Sequence, residues 1–187
     1  MSSFLTTPDN LPEPQDDGGA DHLPGMPLAA IDLPSTRGGV INLGRQPGLL
    51  VLFCYPMTGQ PGQPLPEGWD DIPGARGCTP QACSYRDLHA EITAAGAQVF
   101  GLSVQDTAYQ QEMAERLHLP YAVLSDAAGA FCRAMRLPML EAAGMMLCKR
   151  LALIARDGVI EAVKYPVFPS NSDSTWVLET LNGRGAG

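Results

Sequence analysis

The sequence predicts an α/β domain, a mixed β-sheet flanked by helices and opened by an N-terminal β-hairpin. Three observations carry this reading. Leu49–Tyr55 (LLVLFCY) is a continuous apolar run and Gln98–Val104 (QVFGLSV) nearly one, the pattern of strands covered on both faces. Segments with helical periodicity alternate with such strands, the order of parallel βαβ units. Near the C-terminus, Asp157-Gly158 between two apolar runs signals a hairpin and so antiparallel pairs.

In chain order, residues 1–24 are rich in Pro, Asp and Gly without apolar periodicity and are expected as a loosely ordered acidic arm on a domain of residues 25–187. Residues 27–33 and 40–43 flank a Gly-Gly turn and read as the first hairpin. Leu49–Tyr55 is the first buried strand. Residues 56–77 form a loop with five prolines and five glycines, a length that points to function. A helix is expected from Thr79 as N-cap and Pro80 at its first position. Tyr85, Leu88, Ile92 and Ala95 form its core stripe, and Gly96 ends it. The strand 98–104 follows, then a helix capped by Asp106 and running to about His118. A short strand at 121–124, a helix over 127–136, strands at 147–154 and 159–164, and a helix over 171–181 complete the order.

The 187 residues suit one domain. With 45% hydrophobic and 17% charged residues, the composition excludes a wholly disordered chain. The longest apolar run is the seven residues of Leu49–Tyr55, far short of the roughly 20 that a membrane helix needs. The N-terminal stretch lacks the basic and apolar regions of a secretory signal. These features predict a soluble, cytoplasmic protein without a membrane partner. The net charge of −8 repels phosphate backbones and argues against nucleic acid as a partner. Five cysteines without a secretory signal argue for thiol chemistry or plain burial over a disulfide framework.

The informative segment is Gly77-Cys78-Thr79-Pro80-Gln81-Ala82-Cys83-Ser84-Tyr85-Arg86-Asp87. Cys78 stands at the predicted mouth of a helix, where free amides and the helix dipole favour a thiolate. Arg76 adds positive charge if it turns inward. An accessible thiolate attacks a peroxide and becomes a sulfenic acid. Cys83 lies five residues on, a rise of about 7.5 Å along a helix. A disulfide needs α-carbons roughly 4.4–6.8 Å apart, so the two join only if the first turn unwinds.

This segment, together with Tyr55-Pro56 at the end of the buried strand, resembles the peroxiredoxins, most of all the Q type (the bacterioferritin comigratory protein subgroup). The resemblance spans roughly residues 25–181 and implies a thioredoxin-like fold. It implies that Cys78 is the peroxidatic cysteine and Cys83 the resolving one. The family draws an arginine from a later strand, in a pattern that Lys149-Arg150-Leu151-Ala152-Leu153-Ile154 resembles, so Arg150 is the counterpart here. A fixed guanidinium there would favour the thiolate and hold the peroxide oxygens. The implied activity is reduction of hydrogen peroxide or organic hydroperoxides, with thioredoxin or a glutaredoxin-like dithiol as reductant and no metal or organic cofactor.

The chain departs from the family pattern P-x-x-x-T-x-x-C. Pro56 and Cys78 are separated by twenty-one residues, about fifteen more than the pattern has, and Ala75 replaces the hydroxyl residue three positions before the cysteine. Thr58, close to Pro56, is the candidate to supply that hydroxyl from within the inserted loop. Cys54 and Cys132 read as core, and Cys148 as an alternative resolving cysteine. His22, His89 and His118 read as ordinary surface or helix positions. A zinc site finds no second pair of ligands. Trp69 either packs the insertion down or faces a partner.

Two other functions fit the same residues. One is a general thiol–disulfide oxidoreductase, disfavoured by the absence of C-x-x-C. The other is a non-enzymatic redox sensor or interaction protein, in which the missing hydroxyl cripples turnover. A homodimer through a sheet edge or helix face is compatible with the sequence, and nothing in it specifies one.

Overall fold

Both halves of the expected sheet are present in the computed structural model, which describes residues 10–184. The strands β1 (Asp32–Pro34) and β2 (Val40–Asn42) pair as the N-terminal hairpin. β3 (Leu49–Cys54) is followed by the long loop, then α1 (Cys78–Asp87) and α2 (His89–Ala94). Next come β4 (Ala97–Ser103), α3 (Thr107–Arg116), β5 (Ala122–Ser125) and α4 (Ala130–Met135). A small hairpin, β6 (Met139–Ala142) and β7 (Met145–Cys148), precedes β8 (Leu151–Arg156), β9 (Val159–Lys164) and α5 (Ser172–Arg184). The main sheet has the order β5-β4-β3-β8-β9, with β3, β4 and β5 parallel and β8 and β9 antiparallel.

β3 is buried along its whole length and divides two cores by alternation. Leu50, Leu52 and Cys54 face a core shared with Leu33, Phe131, Cys132 and Cys148. Val51, Phe53 and Tyr55 face a core built by α1, α2, α3 and α5, where Phe53 stacks on Tyr85 with ring centroids 4.3 Å apart. The expected turn at Asp157-Gly158 is present, both residues having positive φ. A β-carbon on Gly158 would stand 2.8 Å from the Gly44 carbonyl oxygen, so position 158 admits no side chain.

Four expectations change. The helix expected from Thr79 to Gly96 is two helices, broken where Leu88 leaves helical geometry (φ −97°, ψ 5°). Thr79 is not its cap: the helix is entered from Gly77, with no side-chain cap. The strand expected over 147–154 is interrupted at Lys149-Arg150. Its first part pairs with β6 and its second with β3 and β9, because Lys149 N–H bonds to the Pro138 carbonyl at 2.8 Å and Arg150 is drawn into the site described below. The helix expected from 127 begins at Ala130, after Asp126 has accepted the Phe131 and Cys132 amides. The Asp106 cap is present, its carboxylate accepting from Tyr109 N–H at 2.8 Å.

Of the segment expected as a loose arm, residues 1–9 lie outside the described residues. Residues 10–24 are held down. Leu23 is 0% exposed and belongs to the first core, the His22 ring meets the Met135 carbonyl at 2.9 Å, and Asp17 accepts from Lys149 Nζ at 2.6 Å and Tyr165 OH at 2.7 Å. These donors hold the Asp17 carboxyl at about 2, below its ordinary value. Among the described residues, no helix is long and apolar enough to cross a membrane.

Candidate active site

Gly77 carries a φ of 105°, a backbone state open to glycine at little cost, and this kink delivers Cys78 as the first residue of α1. Cys78 is 4% exposed and sits where the unpaired amides of a helix start favour negative charge. In the thiol state its Sγ faces the Ala75 carbonyl at 3.6 Å.

Arg150 reaches it from the break between β7 and β8. Arg150 is 3% exposed, and its Nη2 lies 3.2 Å from Cys78 Sγ. The same nitrogen donates to the carbonyls of Gly74, Ala75 and Arg76 at 3.1–3.3 Å. Nη1 donates to Gln81 Oε1, one helical turn beyond Cys78 and on the same face. A planar guanidinium with several fixed acceptors is preorganised as a lysine would not be. The last residues of the insertion therefore set the arginine, and the arginine sets positive charge against the sulfur.

The insertion also closes the site. Trp69 is buried with Ala75, Ala142 and Leu147, so it packs the loop down, and Arg76 pairs outward with Asp70 at 3.0 Å. The remaining cleft, about 20 Å³, is lined by Met57, Thr58, Trp69, Arg76 and Cys78 among others, which is room for about one water. Thr58 and Cys78 thus share one cleft. The Thr58 amide and hydroxyl both donate to Gln105 Oε1, at 3.0 and 3.2 Å. Tyr109 OH and Gln105 Nε2 donate to its carbonyl at 3.0 and 3.2 Å. With its proton committed to Gln105, the hydroxyl offers the cleft an acceptor lone pair.

Cys83 lies in the same helix and is half-buried. Burial pushes its thiol up, and the nearby Arg86 offsets this in part. Both cysteines are helical, so the first turns of α1 must unwind before the sulfurs meet. Cys148 is elsewhere. It is fully buried in the other core and in contact with Cys132 and Cys54, across the sheet from Cys78, and is therefore no alternative partner for that sulfur. The contact with Cys148 and burial hold the Cys132 thiol far above its ordinary range; Cys148 is lowered by Cys132 but held well above its own range by Cys54 and burial. Among the described residues no group of His, Cys, Asp and Glu is arranged to hold a metal ion.

Sequence reasoning missed Gln81, Gln105, Tyr109 and Asp173. Gln81 had a signal, its spacing of three from Cys78 within the motif. Asp173, which accepts from Gln81 Nε2 at 2.6 Å, had none, being ninety-two positions away along the chain.

A family profile described as Redoxin matches residues 23–178. The putative peroxiredoxin bcp of Coxiella burnetii is 28% identical over 152 residues, which cover 74% of this chain and 85% of that protein. The chloroplastic peroxiredoxin Q of Arabidopsis thaliana is 38% identical over 76 residues, 41% of this chain and 28% of that longer protein. The crystal structure of the peroxidoxin BcpB from Mycobacterium tuberculosis superposes with a TM-score of 0.69 at 26% identity, covering 86% of this chain and 96% of that one.

Proposed function

Given that the chain belongs to the Redoxin family, with Q-type peroxiredoxins among its relatives, we propose that it is a thiol-dependent peroxidase in which Cys78 is the peroxidatic cysteine. The observation that carries this is the Arg150 guanidinium 3.2 Å from Cys78 Sγ at the start of a helix. The Cys78 thiolate attacks one oxygen of hydrogen peroxide or an organic hydroperoxide. The O–O bond breaks, the departing oxygen takes a proton and leaves as water or alcohol, and Cys78 becomes a sulfenic acid. Arg150 donors face the charge that develops on the oxygens, and the Thr58 oxygen accepts the hydroperoxide proton in place of the hydroxyl absent at Ala75.

Cys83 is the resolving cysteine. With α1 unwound at its start, its thiol attacks the sulfenic sulfur, water leaves and a disulfide forms. Burial raises the Cys83 thiol, and of the two sulfurs only Cys78 has the Arg150 guanidinium against it, which makes Cys78 the first target of peroxide. An external dithiol, thioredoxin or glutaredoxin-like, reduces the bridge and is itself oxidised. We place the reaction in the cytoplasm, with no metal or organic cofactor, and within one domain that includes the docked residues before 25.

The test is stoichiometric peroxide loss by the pre-reduced protein, with mass spectrometry of the products. Rapid loss should vanish in Cys78→Ser, and Cys83→Ser should stop at sulfenic or further oxidised Cys78 without a 78–83 bridge. Wild-type protein that consumes no peroxide refutes the reading. In the same assay Thr58→Val should slow the first step by about tenfold or more, the scale of a lost hydrogen bond of about 1.4 kcal/mol. Unchanged kinetics would remove Thr58 from the mechanism.

A further inference from the structure

The contact between Arg150 and Cys78 continues inward through two polar side chains. Gln81 bridges Arg150 and Asp173, its oxygen accepting from Arg150 Nη1 and its Nε2 donating to Asp173 Oδ2 at 2.6 Å. Tyr85 OH donates to the same carboxylate oxygen at 3.2 Å, and the Ser174 amide to the other at 3.1 Å. Asp173 is 0% exposed. A buried carboxylate without a directly paired cation is costly to keep in an apolar interior, and its place in the first turn of α5 offsets only part of that cost.

The network leaves Gln81 one orientation. An ionised carboxylate only accepts, so Gln81 must turn its NH₂ toward Asp173 and its oxygen toward Arg150. A proton on Asp173 would stand among three donors. The Ser174 amide is fixed in the backbone, and the Tyr85 hydroxyl, on a ring stacked against Phe53, accepts only by turning its own hydrogen away. The Gln81 amide is the second available acceptor: once the charge that holds its NH₂ toward Asp173 is gone, it can rotate, and its NH₂ then meets the guanidinium donor to donor. We propose that Asp173 is a positioning residue whose ionisation, read through the Gln81 amide, holds Arg150 against Cys78, and whose protonation releases it.

The groups facing Asp173 let it act alone near neutral pH. Tyr85 from α1 and Tyr121, just before β5, are both held well above their ordinary range by burial, and Arg150 stays charged throughout. Burial raises the Asp173 carboxyl to about 6, against the lowering influence of Gln81, Arg150 and Tyr85. Because the folded-state value lies above the unfolded one, ionised Asp173 opposes folding, increasingly as pH rises through about 6. A charge kept at a cost to stability is intelligible if it serves the sulfur.

This relay deepens the peroxidase reading but is stated for Cys78 reactivity, so iodoacetamide tests it independently of peroxide. In wild type, Cys78 alkylation followed by mass spectrometry should show an acid limb near pH 6 beyond thiol ionisation itself. One pH unit below that limb the extra loss should be about tenfold. Asp173→Asn keeps an acceptor without a titrating charge, and Gln81→Met removes the bridge; each should lack the limb. A limb that persists in a folded Asp173→Asn overturns the relay, and Gln81→Met decides the matter if Asp173→Asn does not fold. A purely structural Asp173 would change thermal stability and leave the pH profile in place, which also overturns it. Peroxide consumption on the same samples separates the two readings. A wild type with the limb but no peroxide loss refutes the peroxidase and keeps the relay.

Discussion

Arg150→Met should slow the reaction of Cys78 with peroxide by a hundredfold or more, about 2.7–4 kcal/mol of transition-state stabilisation, the usual loss when an oriented donor is removed from developing oxyanion charge. Methionine keeps an unbranched apolar stem but provides none of the donors to Cys78, Gln81 and the three carbonyls of residues 74–76. Arg150→Lys should recover only part of the rate. A lysine has one charged nitrogen and cannot serve the sulfur, the amide and the loop carbonyls together. Stopped-flow measurement of peroxide consumption by pre-reduced protein reads both variants. Wild-type rates in Arg150→Met would show that the guanidinium only supports the loop.

The second large effect is on stability. Leu23→Ala should cost about 2–5 kcal/mol, the range for truncating a fully buried leucine, read as a lower urea midpoint at unchanged slope. Leu23 is 0% exposed and packs in the first core. Acid adds to the loss of the anchor: the lowered Asp17 carboxyl contributes stability that is present above its ordinary value near 3.8 and disappears as pH falls toward 2. An unchanged midpoint in Leu23→Ala would mean that residues 10–24 are dispensable to the fold.

Leu23 also shows where the sequence is hard to read. Apolar residues scattered among Pro, Asp and Gly have no period, so composition points to a loose arm although Leu23 and Ala20 are buried in the core. The main strands were legible because burial on both faces writes a continuous apolar run, as in Leu49–Cys54, and the Asp157-Gly158 turn because its backbone demands that pair. The break at Lys149-Arg150 was not legible. Apolar residues continue on both sides of it, and only the distant site tells why the strand must end. The same holds at Leu88, an apolar residue in good helical phase whose backbone nonetheless turns. In the site, the local motif carried Cys78 and Cys83. Asp173 rests on packing between α1 and α5, a tertiary fact with no local trace.

The alternation along β3 has a consequence for how the chain handles oxidation. Cys78 and Cys83 lie on one side of the sheet, and Cys54, Cys132 and Cys148 on the other. Five hydrogen-bonded strands stand between the two groups. A sulfenic acid formed at Cys78 would have a single thiol on its own side of that wall, the three others lying in the core across the sheet. Mispaired bridges are thus prevented by architecture rather than by rate, for as long as the sheet holds. In the proposed cycle, α1 would unwind and rewind without turning its sulfur toward the three thiols across the sheet.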